Sequence, residues 1–158
     1  MSQIMVRGDI NPIRVLAKAS TNLTIGDSVF LSSSNGVNAN AYNSNDWGSA
    51  TAAVKQALAK TVFMGISMDA RTSLQTVAGN ILCATTGFAN AIVKDEAAKD
   101  IGTMYTFTNA ATNGISNNSF ESTTNATTCV ARLAEAKPAN QLTAILEIYA
   151  LTAATNGL

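Results

Sequence analysis

A short β motif occurs twice in this chain, and it constrains the fold more than any other feature of the sequence. The stretch TIGDSVFL at 24–31 is echoed by DIGTMYTF at 100–107. In each copy an Ile-Gly pair opens a run of alternating apolar residues, and an Asn-Gly pair follows at 35–36 and at 113–114. Alternation predicts a strand, and Asn-Gly predicts a tight reversal. The chain is therefore expected to use a compact β unit twice.

The two copies can be aligned beyond the motif itself. The matched pairs are Gly26 with Gly102, Gly36 with Gly114, Tyr42 with Phe120, and Ile66 with Leu133. The shift between copies falls from 114 − 36 = 78 positions at Gly36 to 133 − 66 = 67 positions at Ile66. The first half thus carries 78 − 67 = 11 extra residues, which fall around Trp47. Turn-rich β sequences also produce such echoes by chance, so duplication and coincidence are both open interpretations.

The rest of the chain is also mainly β in character. Apolar alternation between turn signals predicts further strands, over 62–68, 74–84, 88–94 and 142–150. Several short strands of this kind favour a sandwich or two small β-barrel-like lobes. The expected fold is therefore mainly β, with an N-terminal extended arm and one short helix.

The helix and the domain boundaries are predicted from breaks in the β pattern. A short helix is expected over 50–59, with Ser49 as its cap. Residues 94–100 are expected to form one helical turn at most, between the halves. The predicted organisation is an arm over 1–21 and a β domain over 22–158. Its two similar halves would span about 22–94 and 95–151.

Composition bears on the class of partner. The chain has ten basic and ten acidic residues among 158, for a formal net charge of zero. This balance gives no electrostatic basis for binding nucleic acid or an anionic membrane. No apolar run approaches the ~20 residues that span a bilayer, and no secretory leader is recognised. Because low net charge promotes association, the sequence favours a protein that works inside an assembly.

The residues available for catalysis are few. The chain has no histidine, which excludes Ser-His-Asp and Cys-His catalysis and removes the commonest metal ligand. Carboxylates cluster only at Asp95, Glu96 and Asp100. They form either a cation site or a solvated turn flanked by lysines, and the second interpretation is favoured. We expect no enzyme activity, no cofactor and no metal.

The two cysteines, Cys83 and Cys129, lie 129 − 83 = 46 positions apart and form no metal-binding pair. Two buried thiols are the favoured interpretation. A disulfide within one chain or between chains is the alternative.

Apolar residues outside the predicted cores are candidate partner contacts. In the arm, an extended segment that can add to a neighbouring sheet edge, they are Ile4, Val6, Ile13 and Val15. In the last strand Ile145 and Tyr149 occupy the face opposite the core, so either the core extends around them or a partner covers them. Trp47 is either an interface anchor or a side chain that folds back over the domain.

Four stretches together resemble the small β-rich decoration, or cement, proteins of tailed-bacteriophage capsids. They are TIGDSVFLSSSNGVNANA, VFMGISMDA, TVAGNILCATTGFANAIVK and AAKDIGTMYTFTNAATNGI. In that family a GD-x-V-x-L strand, an NG turn, a GIS strand and a second IG-x-x-Y strand follow one another in this order. The resemblance covers roughly residues 22–150, and it matches the arm and the segment around Trp47 less well.

The resemblance implies a structural virion protein that binds the outside of a phage capsid at capsomer junctions and stabilises the shell. Its implied partners are the major capsid protein and further copies of itself, as a homodimer or homotrimer. It would be made in the host cytoplasm and end on the outer capsid surface. Another virion component, such as a head fibre or tail protein, or a surface adhesion module, is the alternative function.

Overall fold

The computed structural model describes residues 4–31, 40–42, 51–110 and 114–150. These residues form eleven strands and one helix. In chain order the elements are β1 (Ile4–Arg7), β2 (Pro12–Ala17), β3 (Ser28–Leu31), β4 (Asn40–Tyr42), α1 (Ala52–Val62), β5 (Phe63–Ser67), β6 (Gly79–Ala84), β7 (Phe88–Val93), β8 (Met104–Ala110), β9 (Gly114–Ser122), β10 (Ala131–Leu133) and β11 (Thr143–Ile148). The predicted class, mainly β with barrel-like lobes and one short helix, is confirmed.

The first lobe is a closed five-stranded barrel with the strand order β2-β4-β3-β5-β6. β2 and β4 run parallel, and the other neighbouring strands run antiparallel. Inward-pointing residues of these strands, together with Leu23 of the loop before β3, form the barrel core, which comprises Val15, Ala17, Leu23, Val29, Met64, Ile81 and Cys83.

The second lobe is a curled six-stranded sheet with the order β1-β7-β11-β10-β8-β9. A short parallel pairing between β7 and β9 brings the two sides of this sheet together. Strand β1 is the extra member, since it pairs only with β7 among the described strands.

Apart from β1, the two lobes have the same strand pairings in the same chain order. Strands β2, β3, β4, β5 and β6 correspond in that order to β7, β8, β9, β10 and β11. The parallel pair β2–β4 therefore corresponds to the parallel pair β7–β9, and each antiparallel pair of the barrel has its antiparallel counterpart in the second lobe. One β unit is therefore used twice, as the repeated motif predicts.

The correspondence extends to individual residues. In the first lobe Leu23 and Arg71 exchange two backbone hydrogen bonds of 2.9 Å, and in the second Lys99 and Lys137 exchange two of 2.9 Å. The shifts between lobes are 99 − 23 = 76 and 137 − 71 = 66 positions. In the parallel pairs, Leu16 corresponds to Ile92 with a shift of 92 − 16 = 76 positions, and Asn40 corresponds to Ser119 with a shift of 119 − 40 = 79 positions.

These shifts correct the sequence alignment by one residue at each of two positions. The structure matches Ala41, not Tyr42, with Phe120, and Ser67, not Ile66, with Leu133. The first lobe therefore has 79 − 66 = 13 extra residues between β4 and β5, whereas the sequence alignment gives eleven. Helix α1 lies in this insertion.

The insertion helix packs beside the junction between the lobes, against β3, β8 and β9. It begins and ends later than predicted, at Ala52–Val62, with Thr51 as its N-cap residue and no side-chain cap bond from it. The predicted cap, Ser49, lies outside the described residues. The predicted helical turn at 94–100 is irregular in the structure.

The two lobes share one core built around Phe107. The ring of Phe107 meets Phe30 and Phe63 of the barrel edge-on, with ring centroids 5.0 Å apart in each pair. Within the second lobe it also contacts Phe120 at 5.4 Å. All four rings are fully buried. Because aromatic pairs add to the free energy of burial, this cluster joins the lobes firmly.

Strand β5 serves both cores because its alternation is broken. The sequence predicts Met64 and Ile66 on one face, but Met64 packs in the barrel and Ile66 in the shared core. Gly65 causes the break: its φ is +128°, and a Cβ there would lie 2.3 Å from the carbonyl oxygen of Ala84. A glycine is thus required where β5 bends.

The N-terminal segment is extended, as predicted, but it is not a separate arm. β1 pairs with β7 of the second lobe, and β2 is a barrel strand that pairs with β4 and β6. The predicted boundary at residue 21 therefore falls within the barrel. The boundary between the lobes lies at 85–87 rather than at 94, because β7 pairs with β9 and β11.

Candidate interaction surfaces

Asp95, one of the carboxylates clustered at 95–100, is held by hydrogen bonds within the second lobe. Asp95 accepts hydrogen bonds from the Tyr105 hydroxyl at 2.8 Å and from the Ser122 backbone N–H at 2.9 Å. Burial, reinforced by the hydrogen bond to Asp95 and by the charge of that carboxylate, raises the pKa of Tyr105 above its usual value. Within the described residues no three His, Cys, Asp or Glu side chains come together as a metal site would require. Asp95 is half-buried, whereas Glu96 and Asp100 are exposed.

A shallow depression of about 360 Å³ lies beside the 95–100 segment, lined by Lys99, Thr103, Ser122, Thr123 and Thr124. Its lining offers hydroxyl groups and one amine. In the parts of the chain that the structure describes, no helix is both long and apolar enough to cross a bilayer.

The two thiols are free and have different environments. Cys83 is fully buried in the barrel, and burial, reinforced by the charge of Asp69, raises its pKa to about 12. Cys129 is half-buried, with its Sγ 3.3 Å from the carbonyl oxygen of Ala131. A partner chain therefore has access to the second thiol only.

The contact residues predicted in the N-terminal segment are built into the two lobes. Ile4 and Val6 lie in β1, along the edge of β7. Ile13 is half-buried against the barrel core, and Val15 is 3% exposed within it. Because β2 alternates inward and outward, Val15 serves the core and is withdrawn from any partner surface.

Two further predicted contacts, Ile145 and Tyr149, lie near the surface. In β11 the side chains of Ala144, Leu146 and Ile148 are buried, while Ile145 on the opposite face and Tyr149 directly after the strand are half-buried. The Tyr149 hydroxyl donates a 2.7 Å hydrogen bond to Glu147. Trp47 lies outside the described residues.

The exposed large apolar side chains mark surfaces that the sequence reasoning did not select. Those with the largest exposure in the described residues are Ile25, Val54, Leu58, Leu74, Val77, Ile101 and Leu142. Val54 and Leu58 lie on helix α1, and the other five lie in loops at one end of each lobe. We call these loops the end surfaces: residues 18–27 and 68–78 in the barrel, and 94–103 and 134–142 in the second lobe.

Each end surface carries an equivalent turn with an exposed isoleucine. Ile25 is 52% exposed and Ile101 is 68% exposed, and the shift between them is 101 − 25 = 76 positions, that of the surrounding backbone. Each isoleucine precedes a glycine of positive φ, +96° at Gly26 and +87° at Gly102, as the third position of a type II turn requires. The Gly26 N–H donates a 2.8 Å hydrogen bond to the carbonyl oxygen of Ser67, and the Gly102 N–H donates one of 2.8 Å to the carbonyl oxygen of Leu133.

A buried cation fixes the second loop of each end surface. Arg71 donates from Nη2 to the carbonyl oxygen of Val77 at 2.7 Å. Lys137, at the equivalent position, donates from Nζ to the carbonyl oxygen of Gln141 at 2.9 Å. Both are buried. Charged donors to carbonyl groups are among the stronger hydrogen bonds in proteins, so each cation stabilises its loop.

Comparison with protein-family models, curated proteins and solved structures finds no match to the chain. The chemistry of the surface is therefore the basis for any functional assignment. The described surface presents ordered apolar turns at two equivalent places. The repeated Ile-Gly pair was the signal for these turns, since the residue before a glycine of this kind is at the tip of the turn. Such a surface is suited to binding other proteins.

Proposed function

We propose that the chain is a structural virion protein that binds the outside of a phage capsid at the junctions between capsomers and stabilises the shell. The observation that carries this proposal is the pair of barrel-like lobes joined by one aromatic core, each with an equivalent apolar end surface. A rigid body with two similar contact surfaces is suited to bridging the repeated subunits of a shell.

The composition supports the same function. A net charge of zero removes long-range repulsion between copies that lie close together on a surface. The partners we propose are the major capsid protein and further copies of the chain, as a homodimer or homotrimer. The role is non-enzymatic and requires no cofactor.

The proposed mechanism is mechanical. A stable protein interface buries ~1,600 Å² in total, and each bound copy adds one such contact across a boundary between capsomers. Many copies act together, since separating two capsomers requires breaking every bridge between them. The shell is thereby held against the outward pressure of packed DNA.

The experiment uses heads of the phage that encodes the chain, assembled without it. Purified chain is added, free chain is removed by sedimentation, and the bound copies per head are counted. We expect saturable binding at a fixed number of copies and an increase in the temperature at which the heads release DNA. Purified tails serve as the control surface.

Binding to tails instead of heads would replace this proposal by the alternative virion role. Heads that bind the chain without any gain in stability would contradict the stabilising function. Binding to neither would contradict the virion assignment.

A further inference from the structure

We propose that helix α1 is a detachable clamp, which opens across the junction while both lobes stay folded. The helix lies against β3 of the barrel and against β8 and β9 of the second lobe. Opening means that the helix leaves the junction and unfolds locally. The inference goes beyond the proposed function and does not depend on it, because it follows from the way in which α1 is held.

The helix is amphipathic in the inverse sense. Its inner face buries Lys55, which is 5% exposed, whereas Val54 and Leu58 on its outer face are 58% and 44% exposed. A helix that is held mainly by the hydrophobic effect turns its large apolar side chains inward. In α1 only the small Ala59 and the half-buried Val62 pack with the core. Burial of apolar surface therefore contributes little to keeping α1 in place.

Side-chain hydrogen bonds provide the specific attachment of the helix. The buried Gln56 donates from Nε2 to the carbonyl oxygen of Phe107 at 2.8 Å and to Oε1 of Glu121 at 2.7 Å. In the last turn, Lys60 donates from Nζ to the carbonyl oxygen of Ala126 at 2.9 Å. Water replaces each of these bonds when the helix leaves, so their net contribution to the closed state is modest.

The surface that the helix covers gains solvation when α1 opens. Thr106 lies directly opposite Glu121 in the β8–β9 pair, and therefore on the face of the sheet that Gln56 reaches. Thr106 is 1% exposed, and its hydroxyl has no hydrogen-bond partner among the described residues. Burying a hydroxyl without a partner costs free energy, and contact with water removes that cost. The difference in free energy between the closed and open states is thereby reduced.

Both lobes have what they need to stay folded without the helix. α1 belongs to the insertion of the first lobe, and the second lobe joins the equivalent strands, β9 and β10, through residues 123–130 without a helix. The rings of Phe107, Phe30 and Phe63 connect the lobes directly. A free helix of 11 residues is marginal in water, so α1 should unfold once it detaches.

Hydrogen exchange of the backbone amides in the full chain tests this inference. The protected amides of α1 and of β11 are followed by NMR at several low denaturant concentrations, and each rate is divided by its intrinsic rate. We expect the α1 amides to exchange at least about a hundredfold faster than those of β11, which exchange only on global unfolding. The α1 rates should hardly change with denaturant, since local opening exposes little surface, whereas the β11 rates should rise steeply.

Three variants identify what holds the helix. Gln56→Met removes both donors of this side chain and keeps its length, and it should raise α1 exchange about tenfold. Thr106→Val removes the unpartnered hydroxyl and keeps the shape, and it should slow α1 exchange about tenfold. Ile81→Val in the barrel core is the control. It should raise β11 exchange several-fold and leave α1 exchange unchanged, because the barrel remains folded when α1 opens.

Four outcomes would overturn the inference. Equal rates in α1 and β11 that rise together with denaturant would mean that the helix opens only on global unfolding. An equal increase in both elements in Ile81→Val would mean the same. Fast α1 exchange that Gln56→Met leaves unchanged would show that this side chain does not hold the helix. Loss of the folded state in Gln56→Met would make α1 an obligatory part of the core.

Discussion

Arg71 and Lys137 occupy the same position in the two lobes of this protein, 66 residues apart. Each is buried, each exchanges two 2.9 Å backbone hydrogen bonds with the residue opposite, and each donates its charged group to a carbonyl oxygen of the loop that follows. The equivalence extends from strand pairing to the side chains that fix the end surfaces.

Substituting Lys137 tests whether these cations act alike. Lys137→Met removes the donor to the carbonyl oxygens of Pro138 and Gln141, and we expect it to lower the free energy of unfolding by about 1–3 kcal/mol. Lys137→Arg should be tolerated within about 1 kcal/mol, because arginine serves at the equivalent position. Denaturant unfolding measures both, with exposed Lys94→Met as the control. A methionine variant as stable as the original protein would contradict the assigned role.

The aromatic junction predicts cooperative unfolding. Phe107 contacts Phe30 and Phe63 of the other lobe, so the lobes should unfold in a single calorimetric transition. Phe107→Ala should lower the free energy of unfolding by about 3–5 kcal/mol. Leu74→Ala, at a highly exposed side chain, should change it by less than about 0.5 kcal/mol. Two separate transitions in the unsubstituted protein would refute the shared core.

Asp27 predicts a pH dependence of stability. Burial raises the pKa of this carboxyl group above its usual value of 3.8, although the Thr24 N–H donates to it at 2.8 Å. The ionised form is therefore penalised in the folded state at pH 7, and the penalty disappears once the group is protonated in both states. Asp27→Asn keeps an acceptor for Thr24 and removes the charge.

We expect Asp27→Asn to melt at a higher temperature than the original protein at pH 7, with the difference shrinking to zero as the pH falls below 3.8. Asp100→Asn, at an exposed carboxylate in the equivalent turn, is the matched control and should have little effect at either pH. A less stable Asp27→Asn variant at pH 7 would mean that the ionised carboxylate is favoured by the fold.

The cysteines should differ sharply in reactivity. Cys83 is buried with a pKa raised to about 12, whereas Cys129 is half-buried. Alkylation of the folded protein should modify Cys129 faster by roughly two orders of magnitude or more, because Cys83 reacts only when the barrel opens. Peptide mass mapping measures both rates. Any disulfide between chains should be lost in Cys129→Ala and retained in Cys83→Ala.

Two N-terminal truncations distinguish β1 from β2. Removing residues 2–19 deletes a barrel strand with Val15 and Ala17 of its core, and the barrel should unfold. Removing residues 1–7 deletes only β1, which lies outside the barrel, and the barrel amides should stay protected from hydrogen exchange. A folded barrel in the longer truncation would contradict the strand order.

The features that the sequence predicts correctly depend on local backbone chemistry. The Ile-Gly pairs identify both turns because a glycine of positive φ is needed there, and alternation identifies most strands. The twin-lobed β class follows from these signals. The alignment between lobes is off by only one residue at each of the two corrected positions, since the equivalent turns give the shift of 76 positions directly.

The features that it misses depend on pairing between distant segments. Only four residues separate β1 from β2, and nothing in their sequences indicates that β1 belongs to the second lobe and β2 to the barrel. Nothing in the sequence of β7 indicates that it belongs to the second lobe and not to the barrel. The bend at Gly65, which divides β5 between two cores, requires knowledge of the neighbouring strand end at Ala84. The end surfaces were missed because exposure depends on what the rest of the chain covers.

The most direct test of the proposed function is an electron cryo-microscopy map of phage heads to which the chain has been added. The proposal predicts density for two barrel-like lobes per chain on the outer surface, at the junctions between capsomers. Heads without such density, or density for the chain only inside the shell, would contradict it.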